Sequence, residues 1–267
     1  MRQIYPVAGP DLRVVPRAAD GPLPDAVIRL AKLYGNGAAA NTAGPSDRGL
    51  VRANMVASAD GAVTLDGRSG GLSGPADKML FTILRSLADV ILVGAGTARA
   101  EHYRPVQPDR IWSQLRPPGA PLPAIAVVSA SLDFASCPQL LTVPAGPSQT
   151  IVITAAAAPA DRKAALAGRA RVIEAGEHAV DVAAAVKQLV GLGYPNILTE
   201  GGPTLLGELV AARLVDELCL TTSPRLAGGL AGRIVCGAQA SQRLSLAHVL
   251  VDGDFLLSRY AIAGTRP

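Results

Sequence analysis

The chain has 267 residues, of which 49% are hydrophobic, 17% charged and 3% aromatic, and its formal net charge is +4. This length and composition are typical of a globular protein with one large domain or two small ones. Few aromatic residues and scattered basic ones argue against a nucleic-acid-binding face, whereas a mild positive field favours a phosphorylated ligand.

The cysteines and histidines are few and dispersed along the chain: Cys137, Cys219, Cys236, His102, His178 and His248. This dispersion predicts neither a disulfide framework nor a metal centre, and it favours a reducing cytoplasm. The sequence has no signal-peptide core at its start and no apolar stretch long enough to span a membrane. We therefore expect a cytoplasmic protein with no metal and no membrane or nucleic-acid partner.

The first 49 residues are rich in Pro, Gly and Ala and are predicted to form an N-terminal extension. One helix is predicted within it, at Asp25–Tyr34, and Gly35–Gly49 has the composition of a flexible loop. Residues 50–267 are predicted to form the main domain.

Strand-like and helix-like segments alternate from residue 50 onward. The predicted strands are Leu50–Ser58, Asp89–Val93, Ala124–Ser129, Thr150–Thr154, Ala170–Ile173 and Asn196–Thr199. The predicted helices, chosen by apolar residues at helical spacing, are Ala76–Ala88, Ala160–Leu166, Asp181–Leu192 and Thr204–Arg213. Alternation of this kind predicts an α/β fold with a mixed, mostly parallel central sheet flanked by helices.

Three strand-like runs end the chain, at Glu217–Thr222, Leu246–Val251 and Phe255–Ala261. The last two are joined by Asp-Gly-Asp, which predicts a C-terminal antiparallel hairpin. Ligands of open α/β sheets bind at the carboxyl ends of the strands. The loops of interest are therefore those after Ser58, Val93, Ser129, Thr154 and Thr199.

The stretch NILTEGGPTLLGELV, Asn196–Val210, runs from a buried strand through two glycines into an amphipathic helix. Gly201 and Gly202 leave the backbone bare at the junction, and Pro203 suits the first helical position. A helix N-terminus carries partial positive charge and unpaired N–H groups, so this junction can hold a phosphate. A tight turn that needs glycine is the alternative.

A second junction of the same kind follows Val93, where Gly94 and Gly96 lead into a helix. Thr97 is a candidate helix cap and phosphate donor. Arg99 occupies the place of the third glycine of a Rossmann fingerprint, so an ordinary Rossmann site is not indicated. Two strand–glycine–helix junctions in one sheet nevertheless suit a pyrophosphate that lies across the sheet edge.

Two further loops carry candidate ligand contacts. After the next strand, Ser129 and Ser131 occur without an acid at the strand tip, which favours NADP over NAD; ordinary turn chemistry is the alternative. The long loop after Ser58 is rich in Gly and Ser and carries Asp60 and Asp66. Long loops of this kind are often lids, and solvated turn positions are the alternative for either aspartate.

Three motifs together resemble the reductase domain of the riboflavin-biosynthesis pyrimidine reductases. They are SADG at Ser58–Gly61, LRSLADVILVGAGTARAE at Leu84–Glu101 and ILTEGGPTLLGELV at Ile197–Val210. The resemblance covers Leu50 to the C-terminus and implies a dihydrofolate reductase-like fold, NADPH as cofactor and a homodimer. It also implies hydride transfer to the ribosylamino group of a phosphorylated aminopyrimidine, which opens the ribose to ribityl.

The loops and the resemblance together give a set of candidate site residues. We expect the cofactor to contact Ala57, Ser58, Val93, Gly94, Gly96, Thr97, Ser129, Thr154, Gly201, Gly202, Thr204 and Leu205. The resemblance implies that Glu200 faces the substrate ring, that Asp60 lies in the loop that covers the nicotinamide, and that Asn54 contacts the ring. The candidate substrate-binding residues are Asp66, Arg68 and Arg104.

The chain departs from the family pattern at several places. Asn54 stands where bacterial members often have lysine, and Ala62 replaces the basic residue that usually follows Asp-Gly. The substrate-handling segment, usually acid-acid-proline and then a basic residue, reads EHYRP at Glu101–Pro105. We expect no zinc deaminase domain, because the sequence lacks His-x-Glu with Pro-Cys-x-x-Cys.

Three functions are therefore compatible with the sequence. The first is an NADPH-dependent reductase of the riboflavin aminopyrimidine. The second is a reductase of another heterocycle such as dihydrofolate, with Asp60, Asp66 or Glu200 paired to the pterin; the altered Glu101–Pro105 segment favours it. The third is a non-catalytic NADP-binding protein, against which Glu200 beside an intact GGPTLLG argues.

Overall fold

The computed structural model describes residues 1–5, 23–35, 49–143 and 145–262, and these form one ten-stranded sheet with seven α-helices. The strands are β1 (Arg2–Tyr5), β2 (Leu50–Ser58), β3 (Val90–Gly94), β4 (Ala124–Val128), β5 (Ile151–Thr154), β6 (Arg171–Glu174), β7 (Asn196–Thr199), β8 (Glu217–Ser223), β9 (Leu244–Asp252) and β10 (Phe255–Ile262). The helices are α1 (Asp25–Gly35), α2 (Pro75–Leu87), α3 (Ala95–Ala100), α4 (Arg110–Leu115), α5 (Ala160–Ala165), α6 (Val182–Gly191) and α7 (Pro203–Ala211).

The strand order across the sheet is β1-β9-β10-β8-β2-β7-β3-β4-β5-β6. Strands β8, β2, β7, β3, β4, β5 and β6 run parallel, whereas β10 is antiparallel to both β8 and β9, and β1 is antiparallel to β9. The predicted α/β fold with a mixed, mostly parallel sheet and a C-terminal hairpin is confirmed. The carboxyl ends of β2, β7 and β3 meet at the centre of one sheet edge.

Apolar clusters cover both faces of the sheet. One lies beneath α1, α2 and α3, and the other lies beneath α6 and α7. Burial on both faces explains why β3 and β4 are continuous apolar runs, VILVG and AIAVV, rather than alternating ones.

The predicted element boundaries agree closely with the structure. Strands β2 and β7 coincide with the predicted ranges, and α2 begins one residue early because Pro75 suits the first helical turn. The sequence analysis missed β1, a short 3-10 helix at Pro138–Leu141, and α4, whose first turn is capped by the Asp109 carboxylate accepting from the Trp112 amide. Residues 36–48 of the predicted flexible loop lie outside the described residues.

Parts of the first 49 residues belong to the same sheet and core. Strand β1 pairs with β9, and the side chains of Leu30 and Tyr34 in α1 are fully buried in the cluster beneath α2. The division into an extension over 1–49 and a domain over 50–267 stays a prediction.

A buried ionic cluster fastens α1 to the sheet. The guanidinium groups of Arg52 on β2 and Arg259 on β10 both donate to the carboxylate of Glu217 on β8, at 2.8 and 2.7 Å. Arg52 also donates to the Tyr34 carbonyl at 2.7 Å, and Arg259 donates to the Leu33 carbonyl. Burial raises the pKa of Glu217, but the two guanidinium groups outweigh it and hold that pKa below its ordinary value. Because the last carbonyls of a helix have no partner within it, two buried cations here complete the C-terminus of α1.

Candidate active site

The two strand–glycine–helix junctions contact each other at the sheet edge. The Gly94 amide donates to the Gly201 carbonyl at 2.8 Å, and the peptide bond from Gly201 to Gly202 is cis. A Cβ atom on Gly202 would lie 2.3 Å from the Thr97 hydroxyl oxygen. A side chain at Gly202 therefore cannot be accommodated while Thr97 keeps its position.

The joined glycine junctions fit a dinucleotide pyrophosphate. Gly202 precedes α7 in an extended conformation, and no side chain caps this helix. The first N–H groups of a helix have no partner within it and point at any anion placed there. Thr204 and Leu205 can offer only their backbone and, for Thr204, an exposed hydroxyl, because the Leu205 side chain is buried in the core.

A cavity of about 260 Å³ adjoins these junctions, between the carboxyl half of β2 and α2. We name it the ring cavity. The Gly202 backbone lies in its wall, and its polar side chains are those of Asn54, Thr64, Ser69, Ser73, Asp77, Lys78, Thr97, Glu101, Tyr103 and Glu200. Thr97 and Gly202 thus belong both to the cavity wall and to the glycine junction.

Glu200 lines the ring cavity but both of its oxygens already have partners. Arg85 donates to Oε1 through Nε and to Oε2 through Nη2, each at 2.7 Å, and the Tyr103 hydroxyl also donates to Oε2. The side chain of Glu200 is only 3% exposed. Its expected hydrogen bonds to a substrate ring would therefore have to displace or share these donors.

The partners of Glu200 are held in the protonated form. Burial lowers the pKa of Arg85, but the Glu200 carboxylate outweighs it and leaves that pKa above its ordinary value. Burial and the nearby carboxylate both raise the pKa of Tyr103, so its hydroxyl stays a donor. The Arg85 guanidinium also lies 4.1 Å from the centre of the Phe81 ring, which adds a cation–π contact.

Asp77 and Asn54 are two further buried polar residues of the ring cavity. Asp77 is 7% exposed, and its Oδ2 accepts a hydrogen bond from the Ser73 hydroxyl. Asn54 is 9% exposed, and its Oδ1 is buried with no hydrogen-bond partner among the described residues. Both carry hydrogen-bonding capacity that the described residues leave unused.

Asp60 lies outside the lining of the ring cavity. Its carboxylate accepts from the Ser58 hydroxyl at 2.5 Å and from the amides of Ala227 and Gly228 at 3.0 and 2.7 Å. These hydrogen bonds, the one from Ser58 foremost, hold the pKa of Asp60 well below its ordinary range. Asp60 thus joins the loop after β2 to the loop after β8.

Asp66 and Arg68 also lie outside the ring cavity, in a tight turn. Asp66 has a φ of 51°, and Leu65 and Arg68 exchange backbone hydrogen bonds of 2.9 and 3.0 Å across the turn. The Arg68 guanidinium lies 3.0 Å from Nε2 of His102. Asp66 and Arg68 are two of the three predicted substrate-binding residues. Neither of them lines the ring cavity.

Arg104 lines a second cavity, of about 460 Å³, which shares Ser69, Phe81, Glu101 and Tyr103 with the first. We name it the outer cavity. Its basic groups are Arg85, His102 and Arg104. A phosphate on a ligand bound in the ring cavity could reach this side, because the two cavities adjoin.

The remaining candidate cofactor contacts lie along the sheet edge. Ser129 is buried, and its hydroxyl accepts from the Leu132 amide at 3.0 Å, as in ordinary turn chemistry. The Ser131 carbonyl accepts from Arg162 at 2.6 Å. Thr154 is buried at the end of β5, and its hydroxyl has no hydrogen-bond partner among the described residues. Ala57, Ser58 and Val93 are buried at the carboxyl ends of β2 and β3.

Sequence reasoning missed Asp77, Arg85 and Tyr103. Arg85 belongs to the quoted motif LRSLAD, and Tyr103 belongs to the altered segment EHYRP. A buried acid such as Glu200 needs a charged partner, but the sequence offers many arginines and does not say which one lies near. In the described parts of the chain, no helix is long and apolar enough to cross a bilayer, and no three His, Cys, Asp or Glu residues are arranged to hold a metal ion.

This chain is similar in sequence to known pyrimidine reductases. A 2,5-diamino-6-ribosylamino-4(3H)-pyrimidinone 5′-phosphate reductase from Methanothermobacter thermautotrophicus is 29% identical over 217 residues, which cover 76% of this chain and 96% of that protein. The protein of the same name from Archaeoglobus fulgidus is 28% identical over 196 residues, which cover 72% and 88%.

Structural comparison gives the same result. A crystal structure of a pyrimidine reductase-like protein from Corynebacterium diphtheriae has a TM-score of 0.70 and 28% identity, and the match covers 80% of this chain and 92% of that one. The fold of this chain is therefore that of a solved pyrimidine reductase-like protein. The sequence profile of the RibD C-terminal domain matches residues 50–257. The chain belongs to the RibD C-terminal domain family, as the resemblance of its three motifs predicted.

Proposed function

We propose that this chain uses NADPH to reduce a 5′-phosphorylated ribosylaminopyrimidine, with opening of the ribose to a ribityl chain. The chain is an oxidoreductase of its family, whose curated relatives are named as pyrimidine reductases. The observation that carries the proposal is the position of Thr97 and Gly202, which belong to both the glycine junction and the ring cavity. A cofactor on the junction and a ring in the cavity would be neighbours.

The proposed cofactor contacts are the residues of the two glycine junctions. The backbones of Gly94, Gly201 and Gly202 and the first turn of α7 would hold the pyrophosphate. The cofactor supplies the hydride, while this chain orients the two reactants and excludes water between them. NADPH rather than NADH is supported by Ser129, which directly follows β4 and leaves the tip of that strand without an acid.

The proposed substrate position places the aminopyrimidine in the ring cavity and its phosphate toward the outer cavity. Asn54 contacts the ring from β2, and Arg104 meets the phosphate as a charge-assisted donor. Glu200 acts through Arg85 and Tyr103, and it fixes Arg85 in the outer cavity and Tyr103 on the wall shared by the two cavities. Asp60 holds the loop after β2 against the loop after β8, so its role in closing over the nicotinamide is indirect.

Reduction of a pterin such as dihydrofolate is the second candidate. The observation in its favour is that the Glu101–Pro105 segment departs from the pattern of the family, while its Arg104 is exposed. A pterin needs an acid for its 2-amino edge and no phosphate site. The homodimer implied by the resemblance and the cytoplasmic location inferred from the cysteines stay predictions, and light scattering on the purified protein tests the first.

The test is oxidation of NADPH by the purified chain with two acceptors in parallel, the phosphoribosylamino-pyrimidinone and dihydrofolate. Turnover with the pyrimidinone supports the proposal, and a preference for dihydrofolate replaces it by the second candidate. NADPH binding without oxidation of either acceptor would contradict both. Arg104→Gln should raise the KM of the phosphorylated acceptor and leave that of dihydrofolate unchanged, which tests the phosphate position separately.

A further inference from the structure

Three carboxylates line the ring cavity, and they differ in how many of their oxygens are engaged. Glu200 has both oxygens paired to Arg85 and Tyr103. Glu101 is half-buried on the wall shared with the outer cavity, and its Oε1 accepts from the Ser69 amide at 2.7 Å. Asp77 is buried, and only its Oδ2 is engaged, by the Ser73 hydroxyl.

Oδ1 of Asp77 opens on the ring cavity, although the residue as a whole is only 7% exposed. Among the described residues no group donates to Oδ1 of Asp77, and the side chain faces the cavity. A ligand that fills the cavity would remove water from this oxygen, and a desolvated carboxylate oxygen that gains no donor is costly. The first turn of the 13-residue helix α2 favours its negative charge, but the dipole provides no hydrogen bond to Oδ1. A ligand with N–H donors would supply the hydrogen bond that Oδ1 of Asp77 lacks.

Asn54 gives a second, independent sign of a polar ligand in the same cavity. Its amide is nine-tenths buried and its Oδ1 has no partner among the described residues. An amide offers one acceptor and two donors, and rotation by half a turn exchanges their positions. Asp77 and Asn54 together can meet a flat ring that presents N–H donors on one edge and a carbonyl beside them.

We propose that Asp77 selects the ring of the substrate by accepting hydrogen bonds from the 2-amino group and N3–H of a 2-amino-4-oxo-pyrimidine. The inference rests on the proposed function and specifies its substrate class. The two N–H groups of that edge point the same way, as the two oxygens of a carboxylate do. A carboxylate oxygen has two lone pairs, so Oδ2 can accept from the ring while it keeps the hydrogen bond from Ser73.

The chemistry of this pairing excludes the deaminated ring. A 2,4-dioxo-pyrimidine, the uracil form, presents a carbonyl oxygen where the 2-amino group would be. That oxygen would face Asp77 lone pair to lone pair, and one buried acceptor would lose its donor. Sites built to hydrogen-bond a missing group reject the analogue strongly, so we expect a preference of at least ~100-fold for the amino ring.

The test compares kcat and KM for two acceptors with NADPH, 2,5-diamino-6-ribosylamino-4(3H)-pyrimidinone 5′-phosphate and its 2-oxo counterpart, 5-amino-6-ribosylamino-uracil 5′-phosphate. The variant is Asp77→Asn, which keeps an acceptor for Ser73. Loss of a charged hydrogen-bond partner should raise the KM of the amino ring about 10- to 100-fold. The Asn amide can donate to a 2-oxo group, so the preference should shift toward the uracil form.

The matched control is Asp161→Asn, because Asp161 is an exposed acid in the first turn of α5. This control substitution should leave kcat and KM for both acceptors unchanged. If Asp77→Asn does not fold, Asp77→Ser removes the carboxylate and keeps a small polar group. A wild-type preference for the uracil form, or an equal rise in KM for both rings in the variant, would overturn the role of Asp77 while leaving the reductase function intact.

Binding measurements separate failure of this inference from failure of the proposed function. If the wild-type chain turns over neither acceptor, the function fails, and calorimetric titration with 2,6-diamino-4-hydroxypyrimidine and 6-aminouracil still tests Asp77. Tighter binding of the diamino ring that is lost in Asp77→Asn sustains the role of Asp77. Equal binding of the two rings, or binding of neither, overturns it.

Discussion

Glu200 and Arg85 form a two-point ion pair although they lie 115 residues apart, with Nε and Nη2 of Arg85 each 2.7 Å from a different oxygen of Glu200. The Tyr103 hydroxyl also donates a hydrogen bond to the Glu200 carboxylate. This arrangement joins α2, the end of β7 and the segment after α3 at the wall of the ring cavity. Glu200 therefore has two roles: it lines the ring cavity, and it holds the side chains of Arg85 and Tyr103 in position.

Replacement of Arg85 by Met should destabilise the protein by about 3 kcal/mol, because a buried carboxylate would lose its cation. The double variant Arg85→Met with Glu200→Gln should recover most of this loss, since no unpaired charge remains. Urea unfolding of the single and double variants measures both values. Lys187→Met, an exposed position on α6, is the control for charge removal. Equal stability of Arg85→Met and wild type would show that the pair contributes nothing.

Replacement of Gly202 by Ala should lower the free energy of unfolding by about 1–3 kcal/mol and weaken binding of the proposed cofactor, NADPH. The reason is steric, since the new Cβ would lie 2.3 Å from the Thr97 hydroxyl oxygen but 3.7 Å from its Cβ. Adding Thr97→Ala should therefore restore the stability of Gly202→Ala. Gly191→Ala, where no atom lies within 4 Å of the added Cβ, is the matched control. Failure of the second substitution to restore stability would refute the close contact.

Replacement of Glu217 by Gln should cost about 3–5 kcal/mol, because it removes the charged carboxylate to which the buried Arg52 and Arg259 guanidinium groups donate. The loss should appear as a lower urea midpoint with an unchanged dependence on urea. Glu177→Gln, at an exposed position, should leave the midpoint unchanged. If Glu217→Gln were as stable as wild type, the ionic cluster would not be what fastens α1 to the sheet.

Acid should destabilise the protein through His248. Burial, reinforced by the nearby Arg259 guanidinium, lowers the pKa of His248 from 6.5 to about 4. The unfolded chain therefore takes up a proton first as the pH falls, so this contribution is complete above pH ~6.5 and is lost toward pH ~4. Between pH ~7.5 and ~5 the loss should be about 2 kcal/mol.

The variant His248→Phe isolates this contribution because it keeps an aromatic ring beside Tyr34, whose ring centre lies 4.9 Å from that of His248. Urea unfolding at the two pH values should show a smaller loss in the variant than in wild type. An identical loss would assign the acid sensitivity to other groups, such as the Glu217 carboxylate, whose pKa is also lowered.

Local patterns were enough to predict most of the fold. The apolar run Leu50–Ser58 and the run Asn196–Thr199 gave the ranges of β2 and β7, and the paired glycines after β3 and β7 marked the junctions that meet at the sheet edge. These features depend on periodicity, glycine and proline within a few residues, so they can be read without knowing the rest of the chain.

The chemistry of the site depended on contacts between distant segments. Nothing near Glu200 in the sequence names Arg85 as its partner, and nothing near Asp77 distinguishes it from a solvated acid in a first helical turn. Asp60, expected in the loop that covers the nicotinamide, accepts hydrogen bonds from a second loop that is 167 residues away in sequence. The sequence by itself determined the α/β fold, the family and the glycine junctions. Only the tertiary structure decided which carboxylate has both oxygens paired and which keep one oxygen open, because strand order and helix packing set the donors around each oxygen.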